Sequence, residues 1–153
     1  MAKEMIIEKT VSINRNINEV FNYLKQTKNQ DNFSEWNMKD PGMKKEYAGT
    51  DGTKGFIYSW DSKDKSVGAG SQEITNITEP NKIDYLLKFK RPMQNTATSG
   101  FALDETGENN TSVTWKFQST SKFPMSLFAS FLKKILGKQM EQSLQNLKAV
   151  LEK

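Results

Sequence analysis

Residues 124–153 read PMSLFASFLKKILGKQMEQSLQNLKAVLEK, and their apolar side chains recur every three or four residues, as on an α-helix. The first apolar stripe comprises Phe128, Phe131, Leu132 and Ile135, and the second comprises Leu136, Met140, Leu144, Leu147 and Leu151. A shift of one residue turns the apolar face by about 100°. We therefore expect a kink, a break or a change of packing partner beside Gly137.

The second stripe is predicted to hold the fold together. Burial of a large apolar side chain contributes about 1.5 to 3 kcal/mol, so five of them contribute roughly 8 to 15 kcal/mol before opposing terms. That sum is comparable with the net stability of a whole domain. The polar residues Gln139, Gln142 and Asn146 occupy the positions at which the first stripe would have continued.

The N-terminal part of the chain predicts one strand followed by two short helices. Apolar residues alternate over residues 4–14, which is typical of a half-buried strand. Asn16 and Glu19 have the spacing of a capping box at the start of the first helix. Asn29 is expected to cap the second helix, which carries Trp36.

Further strand-like runs follow, separated by turn residues such as those at 40–42 (DPG) and 79–81 (EPN). These runs cover about residues 46–49, 55–61, 67–77, 83–89, 97–103 and 113–117. A curved antiparallel sheet of about seven strands, with helices grouped at one side, is an α+β fold in which the sheet can wrap the long C-terminal helix. A chain of 153 residues suits one core, so residues 1–153 are predicted to form a single domain.

The sequence contains no cysteine and no histidine, which restricts the chemistry available to the chain. Disulfides, thiolate nucleophiles and the usual zinc and iron sites are excluded. Proton transfer would fall to Asp, Glu, Lys or Tyr side chains with strongly shifted pKa values. Glu35, Asp61 and Glu73 have no recognisable partner and are interpreted as surface acids. No catalytic constellation, metal site or cofactor is predicted.

The charge distribution argues against a nucleic-acid partner. The net charge is +4, but Arg15 and Arg91 are the only arginines, and the lysines alternate with acids at 44–46 and 61–65. Guanine readout and phosphate clamping favour arginine. No window approaches the roughly 20 apolar residues of a membrane span, and residues 1–4 lead directly into a strand pattern rather than a signal peptide. A cytoplasmic location is the expectation.

Four stretches resemble the START-like (SRPBCC) superfamily and, within it, the polyketide cyclase/dehydrase and lipid-transport branch. They are the opening strand and helix pair (11–13, VSI; 20–21, VF; Asn29; Trp36), the central hairpin (58–60, YSW; 67–70, VGAG; Ile74), the segment 111–115 (TSVTW), and the end of the final helix (140–144, MEQSL; Leu147; Lys148; Glu152). The resemblance spans nearly the whole chain and implies a helix-grip fold. Members of this superfamily bind or transform small molecules, so the resemblance does not by itself name a reaction.

The resemblance also implies a cavity between the sheet and the terminal helix. It makes the first stripe, Phe128, Phe131, Leu132 and Ile135, the candidate cavity wall, with plain core packing as the alternative for each residue. The remaining candidate ligand-binding residues are Trp60, Gln72, Tyr85 and Trp115, and the candidate rim residues are Met38 and Met43. The Trp and Tyr side chains would either orient the polar end of a ligand or bond to backbone carbonyls.

The preferred hypothesis is a binding protein for a hydrophobic small molecule, such as a lipid, an isoprenoid or a polyketide-like compound. An enzyme of the cyclase or dehydratase kind is the first alternative, since a shaped pocket can also fold a reactive intermediate. Peripheral contact with a membrane or a protein is the second alternative. Residues 123–136 are largely apolar, and lysines lie nearby, as in interfacial helices. The oligomeric state is left open.

Overall fold

A computed structural model describes residues 3–91, 93–121 and 129–153. The elements follow the order β1 (Lys3–Ile13), α1 (Ile17–Leu24), a 3₁₀ helix (Thr27–Asn32), α2 (Glu35–Lys39), β2 (Lys44–Ala48), β3 (Ile57–Asp61), β4 (Ala69–Thr78), β5 (Lys82–Arg91), β6 (Asn95–Gly107), β7 (Asn110–Ser121) and α3 (Ala129–Leu151). This is the predicted α+β helix-grip fold, with a curved antiparallel sheet and a long C-terminal helix.

The seven strands form one sheet in the order β1-β7-β6-β5-β4-β3-β2, and every pairing is antiparallel. Residues alternate between the two faces of each strand, so the period-two pattern of β5 buries Ile83, Tyr85 and Leu87. The inner face of the sheet and the helices enclose the core. β1 and β2 are the two edges, at opposite ends of the sheet.

Helix α3 is one unbroken helix of 23 residues across Gly137, so the expected break is absent. The centre of the second stripe is buried as predicted, since Met140, Leu144 and Leu147 expose at most 2% of their surface, whereas Leu136 and Leu151 at its ends are half-buried. Gly137 is also buried, and a Cβ atom there would lie 3.2 Å from Lys9 Cε of β1. The glycine therefore serves as a close crossing point between α3 and the first strand.

The short helices differ from the prediction at their N-terminal caps. Asn16 caps α1 by accepting a hydrogen bond from Asn18 N at 2.9 Å, but Glu19 pairs with Arg15 at 3.2 Å instead of completing a capping box. Asn29 caps no helix, because it lies within the 3₁₀ helix. Helix α2 begins later, at Glu35, with Ser34 at the N-cap position.

Across the described ranges, no helix combines the length and the apolar composition needed to cross a membrane.

Candidate functional site

A cavity of about 520 Å³ lies between the inner face of the sheet and helices α2 and α3. This volume falls within the range typical of sites for small organic ligands. Apolar and aromatic side chains dominate the lining, which includes Met5, Met43, Leu87, Phe89, Leu136 and Met140. The cavity therefore offers mainly hydrophobic contact area.

All three tryptophans of the chain line this cavity. Trp36 of α2 meets Trp115 of β7 edge to face, with ring centroids 6.0 Å apart. Trp60 of β3 lies over Gly70 of β4, its cross-strand partner, where a Cβ atom would be 3.0 Å from the indole. Its Nε1 donates to the carbonyl of Val67 at 3.2 Å, so this indole is held by backbone.

The deep end of the cavity is polar. Gln72 of β4 pairs directly with Tyr58 of β3, and Gln72 Nε2 donates to Gln30 Oε1 at 3.4 Å. Within the described part of the chain, Gln30 Nε2 and the Tyr58 hydroxyl have no hydrogen-bond partner, although both atoms are buried. Burial, with a smaller contribution from the Asp31 carboxylate, raises the pKa of Tyr58 well above its ordinary value of 10.0.

Exposed lining residues identify the mouth of the cavity. They are Ser66 in the β3–β4 hairpin, Arg91, Met93, Gln94 and Asn95 around the β5–β6 connection, and Thr120 near the end of β7. Among the described lining residues Arg91 alone carries a charge. Its guanidinium bonds to the Asp61 carboxylate and to the Ser62 carbonyl, the latter at 2.9 Å, so its charge is already paired.

Four of the sequence-predicted ligand-binding residues do line the cavity, namely Trp60, Gln72, Trp115 and Leu132. Tyr85 does not belong to the described lining, because its side chain packs edge to face on Phe101, 6.1 Å away, with only 1% exposed. Of the two predicted rim residues, one lines the cavity and the other does not. Met43 lines the cavity but is buried, whereas Met38 is 45% exposed and lies outside the lining.

The first stripe of α3 is not a continuous cavity wall. Phe131 and Ile135 are 65% and 40% exposed and are absent from the described lining, which corrects their expected position. Leu132 and Leu136 are four residues apart and face the cavity together, whereas Phe131 and Ile135 each precede one of them by about 100° of rotation. Phe128 lies outside the described residues.

Sequence reasoning missed three lining residues that matter for the site: Gln30, Trp36 and Tyr58. A signal existed for Tyr58, because it alternates with Trp60 on one strand face. No comparable signal existed for Gln30, whose orientation depends on the 3₁₀ helix.

No group of three or more Asp, Glu, His or Cys side chains able to hold a metal ion occurs among the residues that the structure describes. The lining contains no Asp or Glu in the same ranges. The donor groups of the lining are amides, hydroxyls, indoles and the Arg91 guanidinium at the mouth, which suit an organic ligand.

Comparison with known proteins decides the family. The family model described as "Polyketide cyclase / dehydrase and lipid transport" matches residues 5–152. The chain belongs to this family. Among the curated proteins, none matches the sequence.

Solved structures with the same fold are similar in shape and distant in sequence. Truncated norcoclaurine synthase from Thalictrum flavum has a TM-score of 0.71 at 12% identity, covering 99% of this chain and 96% of that one. A conserved protein from Geobacillus kaustophilus has a TM-score of 0.71 at 14% identity, covering 97% and 95%.

A third similar structure is DynU16, a putative protein in the dynemicin biosynthetic locus. Its TM-score is 0.65 at 16% identity, covering 96% of this chain and 47% of DynU16. This family member thus spans about half the length of DynU16. At these identities the likeness concerns the fold alone.

Proposed function

We propose that this protein binds a hydrophobic small molecule, such as a lipid, an isoprenoid or a polyketide-like compound, in the cavity between the sheet and α3. The observation that carries this proposal is the 520 Å³ cavity with its largely apolar wall and three tryptophans. Burial of apolar ligand surface supplies the driving force, and a few polar groups orient the ligand.

The ionisable groups of the lining favour binding over catalysis. Tyr58 and Arg91 are the titratable side chains among the described lining residues. A group that transfers protons efficiently has a pKa near the working pH. The pKa of Tyr58 is shifted upward, away from neutrality, and the Arg91 guanidinium is already paired with the Asp61 carboxylate. A cyclase or dehydratase reaction would therefore have to depend mainly on the shape of the cavity.

Binding of N-phenyl-1-naphthylamine, an uncharged probe whose fluorescence rises in apolar surroundings, tests the proposal. Because the tryptophans line the cavity, a bound probe should also quench their emission by energy transfer. We expect saturable binding with both signals reporting the same dissociation constant.

Two neighbouring positions on α3 supply a matched pair of variants. Leu136 faces the cavity and Ile135 is 40% exposed, so Leu136→Trp fills the cavity whereas Ile135→Trp adds the same side chain outside it. We expect Leu136→Trp to weaken probe binding at least about 10-fold and Ile135→Trp to leave it unchanged. The proposal fails if the parent protein binds no probe, or if the two folded variants bind it equally.

Contact with an anionic lipid surface is a second candidate, favoured by the outer face of α3. Phe131 is 65% exposed there, and Lys134 and Lys138, three and seven residues further on, are exposed on the same side of the helix. Apolar and cationic side chains together suit an interfacial helix. Co-sedimentation with phosphatidylserine vesicles at low salt tests this candidate. We expect binding that Phe131→Ser weakens, and absence of binding by the parent protein excludes the candidate.

A further inference from the structure

The deep end of the cavity contains buried donors that no described protein group satisfies. Gln30 and Tyr58 are each only 5% exposed, and Gln30 Nε2 and the Tyr58 hydroxyl both lack a partner in the described ranges. A buried polar group without a partner destabilises the folded protein, because it has lost its hydrogen bonds to water. Other buried polar side chains of the lining, such as Asn37, Ser99 and Ser119, already have hydrogen-bond partners, so these two donors are the ones that a bound ligand can satisfy.

The two donors belong to one cluster. Gln72 pairs with Tyr58 across strands β3 and β4, and the same Gln72 bonds to Gln30 at 3.4 Å. All three side chains line the cavity. The cluster therefore presents N–H and O–H groups to one region of the ligand, while the tryptophans and aliphatic side chains surround the remainder.

The charges around this cluster disfavour an anionic ligand group. Burial and, to a smaller degree, the Asp31 carboxylate raise the pKa of Tyr58, and this carboxylate accepts a hydrogen bond from Asn37 Nδ2 at 2.9 Å. The nearby ammonium of Lys45 is bonded to Asp31 at 3.1 Å, so it is already paired. Arg91, the charged lining residue, lies at the mouth and is paired with Asp61.

We infer that the ligand of this cavity carries an uncharged hydrogen-bond acceptor, such as a ketone or ether oxygen, which Gln30 and Tyr58 bind at the deep end. This inference rests on the proposed binding function and narrows its ligand class. A pure hydrocarbon leaves both donors unpaired, and a buried carboxylate meets no unpaired cation among the described lining residues. An apolar molecule with one neutral oxygen at its inner end pairs with the two donors and brings no charge into the cavity.

Three naphthalene probes that differ in one substituent test the inference. The first is 6-propionyl-2-(dimethylamino)naphthalene, whose emission also shifts to the red when its carbonyl accepts a hydrogen bond. The second replaces the propionyl group with propyl, and the third replaces it with a carboxylate. Each is titrated into the protein with tryptophan quenching as the readout.

We expect the ketone to bind more tightly than either of the other probes. One net hydrogen bond corresponds to about 2- to 10-fold in affinity, so two bonds give a preference of about 4- to 100-fold over the propyl probe. Tyr58→Phe and Gln30→Met should each reduce this preference by about 2- to 10-fold and shift the bound emission of the ketone to the blue. The ratio of affinities is informative even when a variant is less stable.

Tyr23→Phe is the matched control for Tyr58→Phe. The Tyr23 side chain is absent from the described lining, and its hydroxyl accepts a hydrogen bond from Asn32 Nδ2 at 3.1 Å. Tyr23→Phe should leave the ketone preference unchanged. Equal binding of the ketone and propyl probes by the parent protein overturns the inference and leaves the proposed function intact, whereas failure of all three probes to bind overturns both.

Discussion

The backbone N–H of Glu35, the first residue of α2, donates a hydrogen bond of 2.9 Å to the hydroxyl of Ser143 in α3. The Ser143 hydroxyl in turn donates to the carbonyl of Gln139 at 2.7 Å. The N-cap residue Ser34 makes no capping bond with its own side chain, so a distant helix supplies the cap. This bond fixes α2, and with it Trp36 of the cavity wall, to α3.

Ser143→Ala should lower the free energy of unfolding by about 1 to 2 kcal/mol, because it leaves the Glu35 N–H without its partner. Urea denaturation measures the change. Ser130→Ala is the control, since Ser130 is exposed on the same helix and alanine is the better helix former. Equal urea midpoints for Ser143→Ala and the parent protein would show that the bond stabilises nothing.

Leu144→Ala should cost about 2 to 5 kcal/mol, because Leu144 is 1% exposed and its removal leaves a cavity in the core beneath α3. Ile135→Ala provides the contrast on the same helix. Ile135 is 40% exposed, so its truncation should change stability by no more than about 0.5 kcal/mol. Similar losses for the two variants would contradict the assignment of the second stripe as the buried one.

Much of the fold could be predicted from the sequence because its strands are buried on one face. In β5, for example, every second residue is apolar and buried, namely Ile83, Tyr85 and Leu87, and this alternation indicates a strand with one buried face. The cap of α2 could not be predicted, because the hydroxyl that satisfies Glu35 lies 108 residues away. Local rules favoured Asn29, which instead donates its side-chain amide to the Tyr23 carbonyl at 2.8 Å.

The part of the candidate site that lies on strands could be predicted from the sequence. The part that lies on helices could not, because it depends on where each helix packs. Trp60 and Trp115 lie on the inner faces of strands, and the alternation located them correctly. A helical stripe shows which residues share a face, but it does not show what that face meets. Phe131 is therefore exposed, although it belongs to an apolar stripe with the three- and four-residue spacing of a buried helix face.

Alkaline pH should destabilise the protein through Tyr58 and Tyr85. Burial is the main cause that raises the pKa of each phenol above 10.0 in the folded state. Above pH 10 the unfolded chain releases these protons and the folded chain retains them, so stability is full below pH 10 and falls as the pH rises further. The slope is about 1.4 kcal/mol per pH unit for each phenol.

Urea midpoints measured between about pH 9 and about pH 11 test this dependence. Tyr85→Phe removes one of the two groups and should flatten the alkaline decline. At neutral pH the same variant should lose no more than about 1 kcal/mol, since the hydroxyl that it deletes is buried with the Gln30 side chain as a polar neighbour at the margin of hydrogen-bond geometry. An unchanged alkaline slope in Tyr85→Phe would contradict the prediction.

Acid pH should weaken the contact between the end of α3 and the end of β1. Glu152 accepts hydrogen bonds from Asn14 N at 2.8 Å and from Lys148 Nζ at 2.5 Å, and these bonds lower the pKa of its carboxyl below 4.5. A lowered pKa means that the contribution is present above pH 4.5 and is lost as the pH falls through the folded-state pKa. Glu152→Gln should therefore be less stable than the parent near neutrality, and thermal melts should show this difference shrinking below pH 4.5.

Gly70→Ala should disturb both the sheet and the cavity. A Cβ atom at Gly70 would lie 2.5 Å from the carbonyl oxygen of Lys88 and 3.0 Å from the indole of Trp60. The backbone oxygen is fixed by strand pairing, so the strands must separate or the indole must move into the cavity. We expect a loss of about 1 to 3 kcal/mol and weaker binding of N-phenyl-1-naphthylamine.

Gly42→Ala is the control for that substitution. No atom lies within 4 Å of a Cβ at Gly42, and its φ is not in the left-handed region, so alanine should be tolerated or should stabilise by up to about 1 kcal/mol. Urea midpoints separate the two variants, and tryptophan emission reports whether Trp60 has moved. Equal stability, tryptophan emission and probe affinity for Gly70→Ala and Gly42→Ala would contradict this prediction. They would show that the packing of Trp60 on Gly70 does not determine the shape of this wall of the cavity.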